Sequence, residues 1–137
     1  MVICRGAHIL SHTSTCQSTR AFSSAEVEYY ALVRGASYAL GIRSHYRDLG
    51  IELKLDVYTD SSSGKSFATR RGLGKMRHIE TRYLWVQEHI ALKTFRLHKI
   101  LGTANPADVL TKPQTANQMM KVCNQLGEYE ACLERQK

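Results

Sequence analysis

No stretch of this sequence is apolar for the roughly 18 residues that a membrane-spanning helix requires. Nothing in it resembles a secretory signal or a transit peptide. The cysteines, Cys4, Cys16, Cys123 and Cys132, include no CxxC pair. They read as reduced thiols of a non-secreted protein, cytoplasmic or nuclear, with no membrane partner. A zinc site would have to draw His8 or His12 toward Cys4 and Cys16, and that spacing matches no usual ligand pattern. Internal repeats and low-complexity tracts are absent. Ser61-Ser62-Ser63-Gly64-Lys65-Ser66 has the end of a phosphate-binding loop but not its start. Thr59 stands where that loop needs the first glycine of its tight turn, which argues against nucleotide binding. Acidic residues are also missing from the first part of the chain: no Asp or Glu precedes Glu26.

At 137 residues the chain suits one domain with a real core, hiding roughly two-thirds of its unfolded surface. Hydrophobic residues at 43% and charged residues at 23% are ordinary for a globular protein. The net charge of +7 and the pI near 9.4 favour a polyanionic partner, because a basic surface concentrates phosphate backbones around itself.

The order of elements follows from local pattern. Val2-Ile3-Cys4, Gly6 and His8-Ile9-Leu10 read as a weak β-hairpin. Ser23 and Glu26 form a capping box that opens a helix, with Val27, Tyr30, Ala31, Ala36, Leu40 and Ile42 as its apolar stripe and Gly50 as its C-terminal stop. Ile51, Leu53, Leu55 and Val57 alternate with polar residues, so a strand runs toward Asp60. A short helix follows from Ser61 or Ser62 to Arg70, and then a basic, glycine-broken loop over residues 70–75. His78 to Leu92 reads as a helix with Ile79, Tyr83, Val86 and Ile90 inward and Arg82, Gln87 and Glu88 outward. Thr94 to Ile100 alternates as a strand that contains His98, and Thr115 to Leu133 reads as a last helix. Hairpin, helix, strand, helix, helix, strand, helix implies an α/β domain with a mixed sheet covered by helices.

Glu26, Asp60 and Asp108 carry the chemistry this order suggests. Carboxylates that converge repel one another and are held together by cations. Mg²⁺ takes hard oxygen ligands, and two such ions serve phosphodiester hydrolysis. Each residue alone has a plainer role, since a Glu at a helix start is usually a cap and an Asp at a strand end a turn former. Arg70, Arg71, Lys75 and Arg77 cluster in one loop, as phosphate contacts or as a solvated basic surface.

Longer motifs add a resemblance. Phe22-Ser23-Ser24-Ala25-Glu26-Val27-Glu28-Tyr29-Tyr30-Ala31-Leu32 resembles the Leu-Ser-Ser-Thr-Glu-Ala-Glu-Tyr-x-Ala-Leu segment of the ribonuclease H domain of copia-type retrotransposon Pol polyproteins. Val57-Tyr58-Thr59-Asp60-Ser61-Ser62-Ser63, Arg77-His78-Ile79-Glu80-Thr81-Arg82-Tyr83 and Ala107-Asp108-Val109-Leu110-Thr111-Lys112-Pro113 are similar to three further motifs of that domain, in the same order. The resemblance implies a ribonuclease H-like domain over residues 1–113 and a helical extension over 114–137. It implies hydrolysis of the RNA strand of an RNA–DNA hybrid during reverse transcription, with two Mg²⁺ or Mn²⁺ ions. Glu26, Asp60 and Asp108 become catalytic metal ligands, with Glu28 a neighbour on the same helix and not a ligand. His78 and Arg82 are assigned to helix packing or to the substrate backbone, beside Arg70, Arg71, Lys75 and Arg77. The partners implied are the hybrid and the reverse transcriptase portion of the same polyprotein, in a virus-like particle in the cytoplasm or in the nucleus.

The family's first strand, central in its sheet and bearing its first metal-ligating Asp, has no counterpart before Val2-Ile3-Cys4. The resemblance therefore describes an N-terminally truncated domain with exposed strand edges and little or no nuclease activity. The family's catalytic histidine loop is not evident, and His98 is accounted for as a strand residue. A non-catalytic nucleic-acid-binding module and an inactive transposon relic are the competing readings.

Overall fold

The computed structural model describes residues 1–6, 8–15, 21–74, 79–113 and 115–125. The chain divides into two units, Gln17–Leu101 and a second made of Met1–Cys16 with Gly102–Lys137. The described residues are mixed α/β in the expected order. They form strands β1 (Val2–Arg5) and β2 (His8–His12), helix α1 (Ser24–Asp48), strand β3 (Asp56–Thr59), helices α2 (Ser62–Thr69) and α3 (Trp85–Ala91), strand β4 (Arg96–Lys99) and helix α4 (Ala116–Gln125). The strands make two two-stranded sheets, β1–β2 antiparallel and β3–β4 parallel.

The unit Gln17–Leu101 is built on α1. Ser23 is its N-cap, with the hydroxyl accepting from the Glu26 amide at 3.2 Å. Gly50, just past the C-cap Leu49, adopts φ of 77°, a left-handed conformation that glycine reaches without strain. Burial runs through Tyr29, Tyr30, Leu32, Val33, Ala36 and Ala39. The expected stripe is therefore turned: Tyr30 and Ala36 hold their places, whereas Val27 and Ala31 face out. Apolar residues occur on several sides of this helix, and packing against Phe67 and Tyr83 decides which side is covered.

That packing is aromatic. Tyr29 meets Phe67 of α2 edge to face at 4.5 Å, and its hydroxyl donates to the Tyr83 carbonyl at 2.7 Å. Tyr30 meets Tyr83 in the same way at 4.8 Å. Ala68, Ile79, Val86 and Phe95 complete the buried cluster. Burying one such aromatic side chain contributes about 1.5–3 kcal/mol, so this cluster carries the unit. Burial pushes the Tyr29 phenol up to about 12.

β3 is shorter than its alternation suggests. Residues 51–55 are not in strand, and the ladder covers only Asp56↔Arg96 to Thr59↔Lys99. Alternation marks which residues can face a core, but a ladder extends only as far as a partner does. Val57 and Leu97 pack against the core, whereas Asp56, Tyr58, Arg96 and His98 share the opposite face. The helix expected over His78 to Leu92 is a 3₁₀ turn at Thr81–Tyr83 followed by α3. Gln87, expected outward, is buried.

In the other unit the hairpin register shifts between Ile3 and Cys4, so Leu10 has no opposite residue on β1. Further along, 3₁₀ turns at Gly102–Ala104 and Pro106–Leu110 precede α4. Thr115 and Gln118 cap α4 reciprocally: each side chain accepts from the other's backbone amide. Helix is described here only to Gln125, and the stretch expected to continue to Leu133 lies outside the described residues.

Candidate functional site

Asp60 leaves the C-terminal end of β3, the side of a parallel pair on which ligands gather in open α/β sheets. The chain turns there into α2. Ser61 caps that helix by accepting from the Gly64 amide at 3.0 Å, and its own amide donates to Thr59 Oγ1 at 3.2 Å. Lys99, at the matching end of β4, donates to Ser62 Oγ and reaches the Asp60 carbonyl at 3.5 Å. The Asp60 side chain is half-buried. Its carboxylate has no hydrogen bond or ion pair among the described residues.

Glu26 has a different setting. It is 1% exposed. One carboxylate oxygen accepts from the Phe22 amide at 2.9 Å and the other from the Tyr30 hydroxyl at 2.8 Å. Burial first, and this bond second, push the Tyr30 phenol up to about 12. The side chain thus closes the helix start, a variant of the capping box that reaches one residue further back than usual. Glu28, one turn-half along, is exposed. Its Cβ lies 3.4 Å from where a Cβ on Gly64 would stand, and Ser61 Oγ lies 3.2 Å from that same point. The stem of Glu28 therefore adjoins the α2 start that follows Asp60. The resemblance sets Glu28 aside as a neighbour of the ligands and not one of them.

Asp108 belongs to the other unit. It lies in the turn Pro106–Leu110, which Asn105 caps by accepting from the Ala107 amide at 3.1 Å. Its Oδ2 pairs with Lys112 Nζ at 2.7 Å, one helical turn on. Among the described residues no group of three or more His, Cys, Asp or Glu side chains is placed to hold a metal ion. The oxygen donors suit Mg²⁺ or Mn²⁺ in type.

Of the expected nucleic-acid contacts, Lys75, Arg77 and His78 lie outside the described residues. Arg71 is exposed. Arg82 is exposed, forms an ion pair with Glu80 at 2.8 Å, and lies over the Tyr83 ring at 4.9 Å. Arg70 turns inward, with its guanidinium 4.5 Å from the Phe67 ring centre and donating to the Leu73 carbonyl at 3.0 Å.

A second acidic centre, not foreseen, lies at the other end of β3. Arg96 grips Asp56 with two bonds of 2.7 Å, and His98 Nε2 meets the same carboxylate at 2.8 Å. His98 also stacks on Tyr58 at 5.1 Å. The Arg96 bonds, and then the His98 bond, hold the Asp56 carboxyl below the usual range.

No helix among the described residues is long and apolar enough to cross a membrane. A curated relative, the Retrovirus-related Pol polyprotein from transposon TNT 1-94 of Nicotiana tabacum, is 29% identical over 119 residues, which covers 85% of this chain and 9% of the relative. The chain thus spans less than a tenth of that protein's length. The similarity supports a region derived from a retrotransposon Pol polyprotein. No family model and no solved structure matches the chain.

Proposed function

We propose that the chain is a ribonuclease H-like segment of a retrotransposon Pol polyprotein that engages an RNA–DNA hybrid through its basic surface. The observation that carries this reading is Asp60 at the C-terminal end of a parallel strand, with Glu28 beside the helix that follows it. We assign Glu28 the place that the sequence gives to Glu26, because both oxygens of Glu26 are engaged at the helix start. Asp60 and Glu28 are then the residues of this unit that face the scissile region of the hybrid. Arg71 and Arg82 lie on its phosphates, with Lys75, Arg77 and His78 from the same stretch, while Arg70 is turned inward. The reverse transcriptase portion of a Pol polyprotein is the natural covalent neighbour.

Cleavage in this family's manner takes divalent ions held by several carboxylates. Among the described residues no group of three is placed for such an ion, and our reading is that the chain binds hybrid rather than cutting it. The test is anisotropy on a labelled RNA–DNA hybrid across a salt series, with and without Mg²⁺ or Mn²⁺, alongside a gel for cleavage. The expected result is binding that weakens steeply with salt, with no metal-dependent product. Cutting that Asp60→Asn abolishes would instead make the chain a nuclease. Affinity for hybrid no greater than for an unrelated polyanion would leave an inactive relic.

A further inference from the structure

The turn after α2 has no regular structure, yet it is tied down from within. Gln87, on α3, is 8% exposed, and both polar atoms of its amide are engaged. Its Nε2 donates to the Phe67 carbonyl at 3.0 Å and to the Gly72 carbonyl at 3.2 Å, and its Oε1 accepts from the Gly72 amide at 2.9 Å. The Phe67 bond satisfies one of the carbonyls that the end of α2 leaves open. The pair on Gly72 is not a helix cap: it holds both backbone groups of one loop residue, as a neighbouring strand would. Gly72 and Gly74 have φ of 78° and 50°, which other residues adopt only with strain. The inside of the turn is filled by Arg70, whose Cζ would lie 2.5 Å from a Cβ on Gly74. Arg71, between these two anchor points, stays exposed.

We propose that Gln87 is a positioning residue. With Arg70 it holds residues 70–74 in one shape, so that Arg71 meets a nucleic-acid phosphate without the loop first having to be ordered. Preorganisation of this kind raises affinity by lowering the ordering cost of binding. The inference rests on the nucleic-acid reading above and adds to it an uncharged, buried residue that no charge pattern would select.

Gln87→Met keeps length and packing while removing all three bonds. The Gly72 amide should exchange with solvent about tenfold faster in this variant, measured by NMR on the folded protein. Hybrid affinity should fall about three- to tenfold. Arg71→Ala should reduce the salt slope by roughly one phosphate in the wild type and by much less in the Gln87→Met background. That non-additivity is what a positioning role requires and a merely stabilising role does not produce. Unchanged Gly72 exchange overturns the clamp, and additive losses overturn its service to Arg71. If Gln87→Met does not fold, the wild type alone decides the clamp, because a Gly72 amide exchanging as fast as an unprotected one removes it. A wild type with no salt-dependent hybrid binding defeats the functional reading instead, while Gly72 exchange still reports on the clamp.

Discussion

Asp56 and Asp60 lie at the two ends of β3, and their surroundings differ completely. Asp56 stands inside the ladder, opposite Arg96, with His98 on the same face of the pair. Its carboxylate is gripped by both. Asp60 follows the last ladder residue, where no strand residue lies opposite it. Its carboxylate keeps no partner among the described residues. An acidic side chain opposite basic residues in a ladder is held by them, whereas Asp60, one step past the ladder, keeps its carboxylate clear of them. Clefts collect such groups because the chain leaves its regular pairing there.

The strongest way to break this contrast is Glu26→Ala. It leaves the Tyr30 hydroxyl buried without its acceptor and the Phe22 amide without its partner. A loss of about 2–4 kcal/mol is expected, from an unsatisfied buried donor together with a lost cap. Urea denaturation monitored by circular dichroism measures it. A loss below about 1 kcal/mol would show that the carboxylate is not structural and would return Glu26 to the candidate site.

Asp56→Asn is a smaller perturbation. The pair is at the surface, with Arg96 62% exposed, so the loss is expected to be well below that of Glu26→Ala even with its two-pronged geometry. The pH dependence has a definite sign. The folded-state pKa of Asp56 is lowered, so its stabilisation is present above the unfolded carboxyl value of roughly 3.9 and is lost as pH falls through the lower folded value. Wild type and Asp56→Asn should therefore differ at neutral pH and converge in acid. A gap that persists at pH values well below the carboxylate range would assign the difference to packing rather than to charge.

Local signals made part of this legible. Ser23 and Gly50 mark the ends of α1 because caps depend on neighbouring backbone groups alone. Ser61 marks the start of α2 for the same reason. Asp60 at a strand end followed from alternation in the residues before it. What sequence could not show depends on contacts across the chain. The strand at residues 51–55 needs a partner along that stretch. The buried side of α1 is chosen by Phe67 and Tyr83, and Gln87 is drawn inward by carbonyls at Phe67 and Gly72, far away in sequence. The Asp56 cluster depends on a register between strands that lie 40 residues apart. For Glu26, the same capping box that marks the helix start also engages the carboxylate.

Asp60→Asn is the mildest substitution and sharpens the contrast most. A carboxylate without a partner among the described residues contributes little to the fold, so stability should change by less than about 0.5 kcal/mol. Its isosteric amide removes one negative charge from a surface proposed to face phosphates. Hybrid affinity should then stay level or rise slightly at low salt, and the difference should fade as salt screens it. Asp56→Asn should show no such gain, because freeing Arg96 and His98 from their carboxylate disorders that face while it adds charge. If instead Asp60→Asn destabilises the chain as much as Asp56→Asn does, the end of β3 is scaffold like its beginning, and the candidate site loses the residue on which it is centred.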